Sequence, residues 1–193
     1  MRARYIKPLN QLFENLEDHP AMPIEEFVNV INLPKQKQTQ AIDWWKKNRG
    51  NIKIHFVEFS THEPILGVFM SGEDVLVNAK AWPPAPPELR LFIAAHESRH
   101  ADQHRKGMFG PNYFDPVVND DFEKFKHGYQ RLEKDANDFA FNAMEGMGVR
   151  LPIPEQHIRG NERAAHEVFY MMQRDIKESG ATDMFELLKS QIF

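Results

Sequence analysis

The 193-residue chain contains no cysteine. That absence excludes a disulfide scaffold, a thiolate zinc finger and a cysteine nucleophile. Excess charge of one sign is also missing, since 24 Lys plus Arg face 28 Asp plus Glu. A net charge of -4 and a pI ≈ 6.1 therefore argue against a general nucleic-acid binder. Long apolar runs are absent: Leu91 to Ala95 falls far short of the roughly 20 residues that a membrane-spanning helix needs. The first residues, Met1-Arg2-Ala3-Arg4-Tyr5, are basic, but Lys7, Pro8 and Asn10 stand where a signal peptide carries its apolar core. Internal repeats and low-complexity tracts are missing too. These absences predict a cytoplasmic protein with no membrane partner and no clear nucleic-acid binding.

What is present is an ordinary globular composition, with 41% hydrophobic and 27% charged residues. A chain of this length buries roughly 70% of the surface its unfolded form exposes, enough for a core without covalent staples. Tyr5, Leu9, Leu12, Phe13 and Leu16 recur at helical spacing and predict a helix over 4–18. Further helices are expected over 24–31, ending before Pro34, and over 36–47, closed by Asn48-Arg49-Gly50. The period then changes to two. Ile52, Ile54 and Phe56 alternate with polar residues, and 65–70 and 75–79 flank a Ser71-Gly72-Glu73-Asp74 turn, so a strand and a hairpin are expected. The run from Trp82 to Pro87 is a stiff connector, because each proline removes a backbone donor. A helix over about 87–106 follows, then a loop over 108–119, a long helix over 120–146, and helices over 161–178 and 181–191. Helices, a small sheet and helices again describe an α+β chain. Residues 1–50 form an N-terminal helical segment and 51–193 the main domain, the whole expected to pack as one unit.

His96-Glu97-Ser98-Arg99-His100 carries the chemistry. In a chain with 9 His, chance supplies this spacing about 0.04 times. A helical turn takes about 3.6 residues, so His96 and His100 stack on one face and can share one ion. Leu89, Phe92 and Ile93 lie on the same side, which turns both imidazoles inward. Glu97, one position round, can take a proton from water at that ion. Catalytic zinc takes three protein ligands and a water. His104 is about 12 Å along the helix from His96 and cannot bind the same ion. Glu133 is the better third ligand. It shares a face with Ala136, Asn137 and Ala140, and the two alanines allow a close approach to the first helix. Asn137 can then fix a ligand histidine from outside the coordination shell. Asp135 is the second choice. Tyr113, His127, Tyr129, His166 and Tyr170 are all candidates for an electrophilic helper, and Trp44-Trp45 is expected to anchor the N-terminal helices on the core.

His-Glu-x-x-His followed by Glu133-Lys-Asp-Ala-Asn-Asp-Phe-Ala140 resembles the glutamate-zincin metallopeptidases, and in particular the short ImmA/IrrE-type branch. The resemblance covers about residues 65–145. It implies a zincin-like fold, with a small antiparallel sheet packed against the helical core that bears the motif. It also implies Zn2+ held by His96, His100 and Glu133, and Glu97 as general base. The hairpin's second strand, with Val77, Asn78 and Ala79, would be the edge on which an extended peptide or protein substrate pairs. The expected function is zinc-dependent peptide-bond hydrolysis. The alternative is a non-catalytic regulatory or structural protein that keeps the metal and the scaffold.

Overall fold

The computed structural model describes residues 20–58, 67–71, 73–80, 85–109, 111–152 and 162–180. The helices expected over 4–18 and 181–191 lie outside the described residues, as does 82–84 of the proline connector. Proline opens the first three helices. Pro23, Pro34 and Pro86 stand at the N-caps of α1 (Ile24–Val30), α2 (Lys35–Arg49) and α3 (Pro87–Arg105), and Pro87 is at the first position of α3. A helix start has N–H groups without helical partners, so a residue lacking one costs nothing there. Between α1 and α2 the backbone reverses at Asn32, which has φ 59, a left-handed conformation that asparagine tolerates.

The sheet is mixed, where an antiparallel one was expected. Its order is β1-β3-β2, with β1 (Lys53–Val57), β2 (Gly67–Ser71) and β3 (Asp74–Asn78). β2 and β3 form the expected antiparallel hairpin, but β1 runs parallel to β3, with Ile54 opposite Val75 and Phe56 opposite Val77. This corrects the assignment of Val77, Asn78 and Ala79 to an edge. β3 is the central strand: Val77 is paired on both sides, Asn78 lies opposite Val57, and the Ala79 N–H donates to the Val57 carbonyl at 2.8 Å. Val75, Leu76, Val77 and Asn78 are all buried, the continuous pattern of a strand covered on both faces. β2 is the edge that lies against α3.

The residues expected to form a loop over 108–119 contain a helix instead, α4 (Pro111–Val118). Pro111 opens it. Tyr113 and Val117, one turn apart, pack into an apolar cluster with Phe125, Phe169 and Met172, and this packing holds a helix that Pro116 alone would disfavour. Phe125 belongs to α5 (Phe122–Gly146), capped by the Asp121 carboxylate, which accepts from the Lys124 N–H; Phe169 and Met172 belong to α6 (Glu162–Ser179). The larger core gathers Phe27, Val28, Leu33 and Trp45 of the N-terminal segment with Val75, Leu91, Ala94 and Ala140. Trp45 is buried, as expected, and Trp44 packs on Phe139. Among the described residues, no helix is long and apolar enough to cross a membrane.

α3 and α5 pack antiparallel and in step. Phe92 meets Phe141 with ring centroids 4.9 Å apart, His96 meets Asn137, and His100 meets Glu133. Each step of four residues along α3 matches a step of four back along α5. Ala136 and Ala140 are fully buried on this face of α5. A larger side chain has no room there. Ala140→Leu is expected to destabilise the protein by about 1–3 kcal/mol through overpacking, seen as a lower midpoint of thermal unfolding. An unchanged midpoint would contradict this account of the helix contact.

Candidate metal centre

Three side chains converge where α3 and α5 meet. His96 Nε2 and His100 Nε2 are 3.1 Å apart. Glu133 places Oε2 3.3 Å from His96 Nε2 and Oε1 3.3 Å from His100 Nε2. Among the described residues this is the one group of three or more His, Asp or Glu placed to hold a metal ion. The separations fit such an ion. Bonds of about 2.0–2.1 Å in a tetrahedron put neighbouring ligand atoms about 3.3–3.4 Å apart. The donor set, two imidazoles and one carboxylate, is borderline in softness and suits zinc.

The electrostatics agree with a site built for positive charge. Burial works against the charged form of His100, yet its hydrogen bond to the Glu133 carboxylate and the nearby Glu97 and Glu133 charges raise its pKa to about 9. Burial likewise disfavours the Glu133 carboxylate, but hydrogen bonds with His100 and His96 hold it well below the usual carboxylate range. Glu97 behaves differently. Burial raises its pKa, with Glu133 adding to the rise and the two histidines opposing it. Its carboxylate also accepts from the backbone N–H of Phe69 in β2. Glu97 thus sits between the histidines and the edge strand.

The supporting residues divide by helix. Asn137, placed by the sequence beside a ligand histidine, has Oδ1 3.0 Å from His96 Nδ1. Gln103 was not anticipated. It is fully buried, with Oε1 2.7 Å from His100 Nδ1, and it donates Nε2 to the Leu132 carbonyl at 2.9 Å and to Asp135 Oδ2 at 2.8 Å. The signal was its position three residues after His100, which puts it beside that ring on the helix. Asp135, the alternative third ligand, is turned elsewhere: Arg99 grips it with Nε to Oδ2 at 2.8 Å and Nη2 to Oδ1 at 3.0 Å. Arg99 therefore serves α3–α5 pairing.

Beside the centre, Phe69, His104, Phe109 and Tyr113 form an aromatic row. His104 lies 5.7 Å from Phe69, and Phe109 lies 6.0 Å from His100 and 5.3 Å from Tyr113, centroid to centroid. His104 is thus part of a wall and no ligand. Of the candidate helpers, His166 and Tyr170 stack with each other, and His166 on Phe122, in the α5–α6 cluster. His127 is exposed. Tyr113 and Tyr129 remain near the centre. Burial raises the Tyr113 pKa above that of an ordinary phenol, and the charge of Glu133 acts in the same direction. Tyr129 lines a pocket together with Glu133, Asn137 and Phe141.

β2 reaches the site through a glycine. A Cβ on Gly67 would stand 2.3 Å from Ile93 Cγ2 and 3.0 Å from Glu97 Cγ. Gly67→Ala is therefore expected to push β2 away from α3 at a cost of about 1–3 kcal/mol, measured by chemical or thermal unfolding. Wild-type stability in this variant would show that strand and helix do not meet so closely. No family model, curated protein or solved structure matches the chain.

Proposed function

We propose that the protein is a zinc-dependent metallopeptidase of zincin-like fold that acts on an extended peptide or protein in the cytoplasm. The observation that carries this reading is the convergence of His96, His100 and Glu133 at tetrahedral spacing with Glu97 alongside. His96 Nε2, His100 Nε2 and the Glu133 carboxylate would hold the ion. Zinc bound there would lower the pKa of water and polarise the scissile carbonyl. Glu97 would accept the proton of the attacking water and return it to the leaving nitrogen. Burial raises the Glu97 pKa, which makes the carboxylate a stronger proton acceptor in the first step. Tyr113, whose ring lies against Phe109 beside His100, would donate its phenol O–H to an oxyanion. An extended substrate would pair with β2, whose strand already meets Glu97 through the Phe69 N–H.

The alternative, a metal site that only ties two helices together, gives Glu97 no task. A structural zinc site is closed by a fourth side chain, and among the described residues the group stops at three.

Glu97→Gln keeps the ligands and removes the base, so zinc is retained while turnover of a peptide substrate selected from a library falls by about 10²–10⁴-fold. Wild-type turnover in this variant contradicts the mechanism. A second measurement concerns protons. With its pKa raised to about 9, His100 is protonated at pH 7.5 in the metal-free protein and must lose that proton to bind an ion. Zinc binding is expected to release about one proton per ion at pH 7.5 from this residue, falling toward none as pH rises past 9. Calorimetry in buffers of different ionisation enthalpy measures this, and a heat independent of buffer contradicts it.

A further inference from the structure

We propose that Gln103 is a positioning residue that dictates the tautomer of His100, and with it the availability of the nitrogen facing Glu133. The assignment rests on the metal-centre reading above and goes beyond it to a residue outside the ligand set. The side chain lies where no water reaches it, at 0% exposure. One end of its amide faces the Leu132 carbonyl at 2.9 Å and Asp135 Oδ2 at 2.8 Å. Both of those are acceptors, so the NH2 group must point at them and Oε1 must point the other way. Oε1 meets His100 Nδ1 at 2.7 Å. An amide oxygen only accepts, so Nδ1 must carry a proton, and the lone pair of the neutral ring is placed on Nε2. Nε2 is the atom that faces His96 Nε2 at 3.1 Å and Glu133 Oε1 at 3.3 Å.

The orientation of Gln103 is itself enforced. Asp135 is fixed by the Arg99 fork, with Nε to Oδ2 at 2.8 Å and Nη2 to Oδ1 at 3.0 Å. Were the Gln103 amide to flip, its oxygen would face a carbonyl and a carboxylate, and its NH2 would face the Nδ1–H of His100. Three repulsive contacts would replace three hydrogen bonds in a dry site. The direction of donation therefore runs from Arg99 to Asp135, from Gln103 to Asp135, and from His100 to Gln103. The two ligand histidines are served from different helices: Asn137 of α5 meets His96, whereas Gln103 of α3 meets His100. The Arg99–Asp135 pair that aligns the helices also sets the ring of one ligand.

The test compares wild type, Gln103→Leu and Gln103→Glu in the full chain by two readouts. One is the zinc dissociation constant from competition with a chromophoric chelator. The other is the Nδ1–H proton resonance of His100 in the zinc-loaded protein. Gln103→Leu keeps the volume and removes the acceptor, so zinc affinity is expected to fall by about 10–100-fold and the resonance to lose its downfield, hydrogen-bonded position. Gln103→Glu keeps an acceptor oxygen at the ring but turns its other oxygen toward the Leu132 carbonyl and Asp135, so the resonance is expected to stay downfield and zinc affinity to fall less than in Gln103→Leu. The downfield resonance carries the proposal even where the leucine variant fails to fold. Equal weakening in both variants, in step with thermal stability and with the resonance unmoved, marks a purely structural role and overturns the proposal. Unchanged zinc affinity in Gln103→Leu overturns it as well while leaving the metal centre intact. A wild-type protein that takes up no zinc overturns both.

Discussion

The antiparallel register of α3 against α5 is the constraint from which the rest of the site follows. His96 and His100 lie one turn apart on one helix, and Asn137 and Glu133 lie one turn apart on the other, so a single alignment satisfies both pairs. Rotating α5 by one residue would swing Glu133 by about 100° and take it away from the histidines. Ala136 and Ala140 allow the close approach, and the Phe92–Phe141 contact fixes the far end. The register is thus held by shape as well as by polar pairing.

The polar pairing carries a risk that the structure meets with further partners. A buried carboxylate between two imidazoles costs several kcal/mol unless its charge is matched. Here His100 is held in its charged form to match Glu133. Around this pair lies a second set of ionic contacts. Arg99 joins Asp135, and Asp102 joins Arg49 of α2 at 2.7 Å. Arg49 is almost fully buried, with its guanidinium 4.1 Å above the Phe139 ring, so the N-terminal helices are tied to the same pair of helices that bears the centre. The helical segment before the sheet therefore contributes core, through Phe27, Val28 and Trp45, and a charged strut.

What the sequence made legible was local. The helix bearing His96 and His100, the helix bearing Glu133, their inward faces and the preference for Glu133 over Asp135 all follow from a period near 3.6 and from two alanines. Sheet order was not legible, because β1 and β3 are joined only across the hairpin, and pairing between distant strands leaves no periodic trace in either. Val77, Asn78 and Ala79 looked like an edge since a hairpin shows its own two strands but not a third that adds beside them. α4 was hidden by Pro111 and Pro116, whose local preference was outweighed by the burial of Val117 and the packing of Tyr113. Gln103 was hidden for another reason: a glutamine in a helix has no distinctive pattern, and its role depends on the Leu132 carbonyl and Asp135 across the helix pair.

His96, His100 and Glu133 are together placed to hold one metal ion, proposed above to be zinc. Elemental analysis of the purified full chain after supply of zinc and removal of excess tests it most directly, with His96→Ala and Glu133→Ala measured alongside. About one zinc per chain is expected in the wild type and none retained in either variant, because a site of three protein ligands has lost one. No zinc in the wild type, or a full complement in Glu133→Ala, would contradict it.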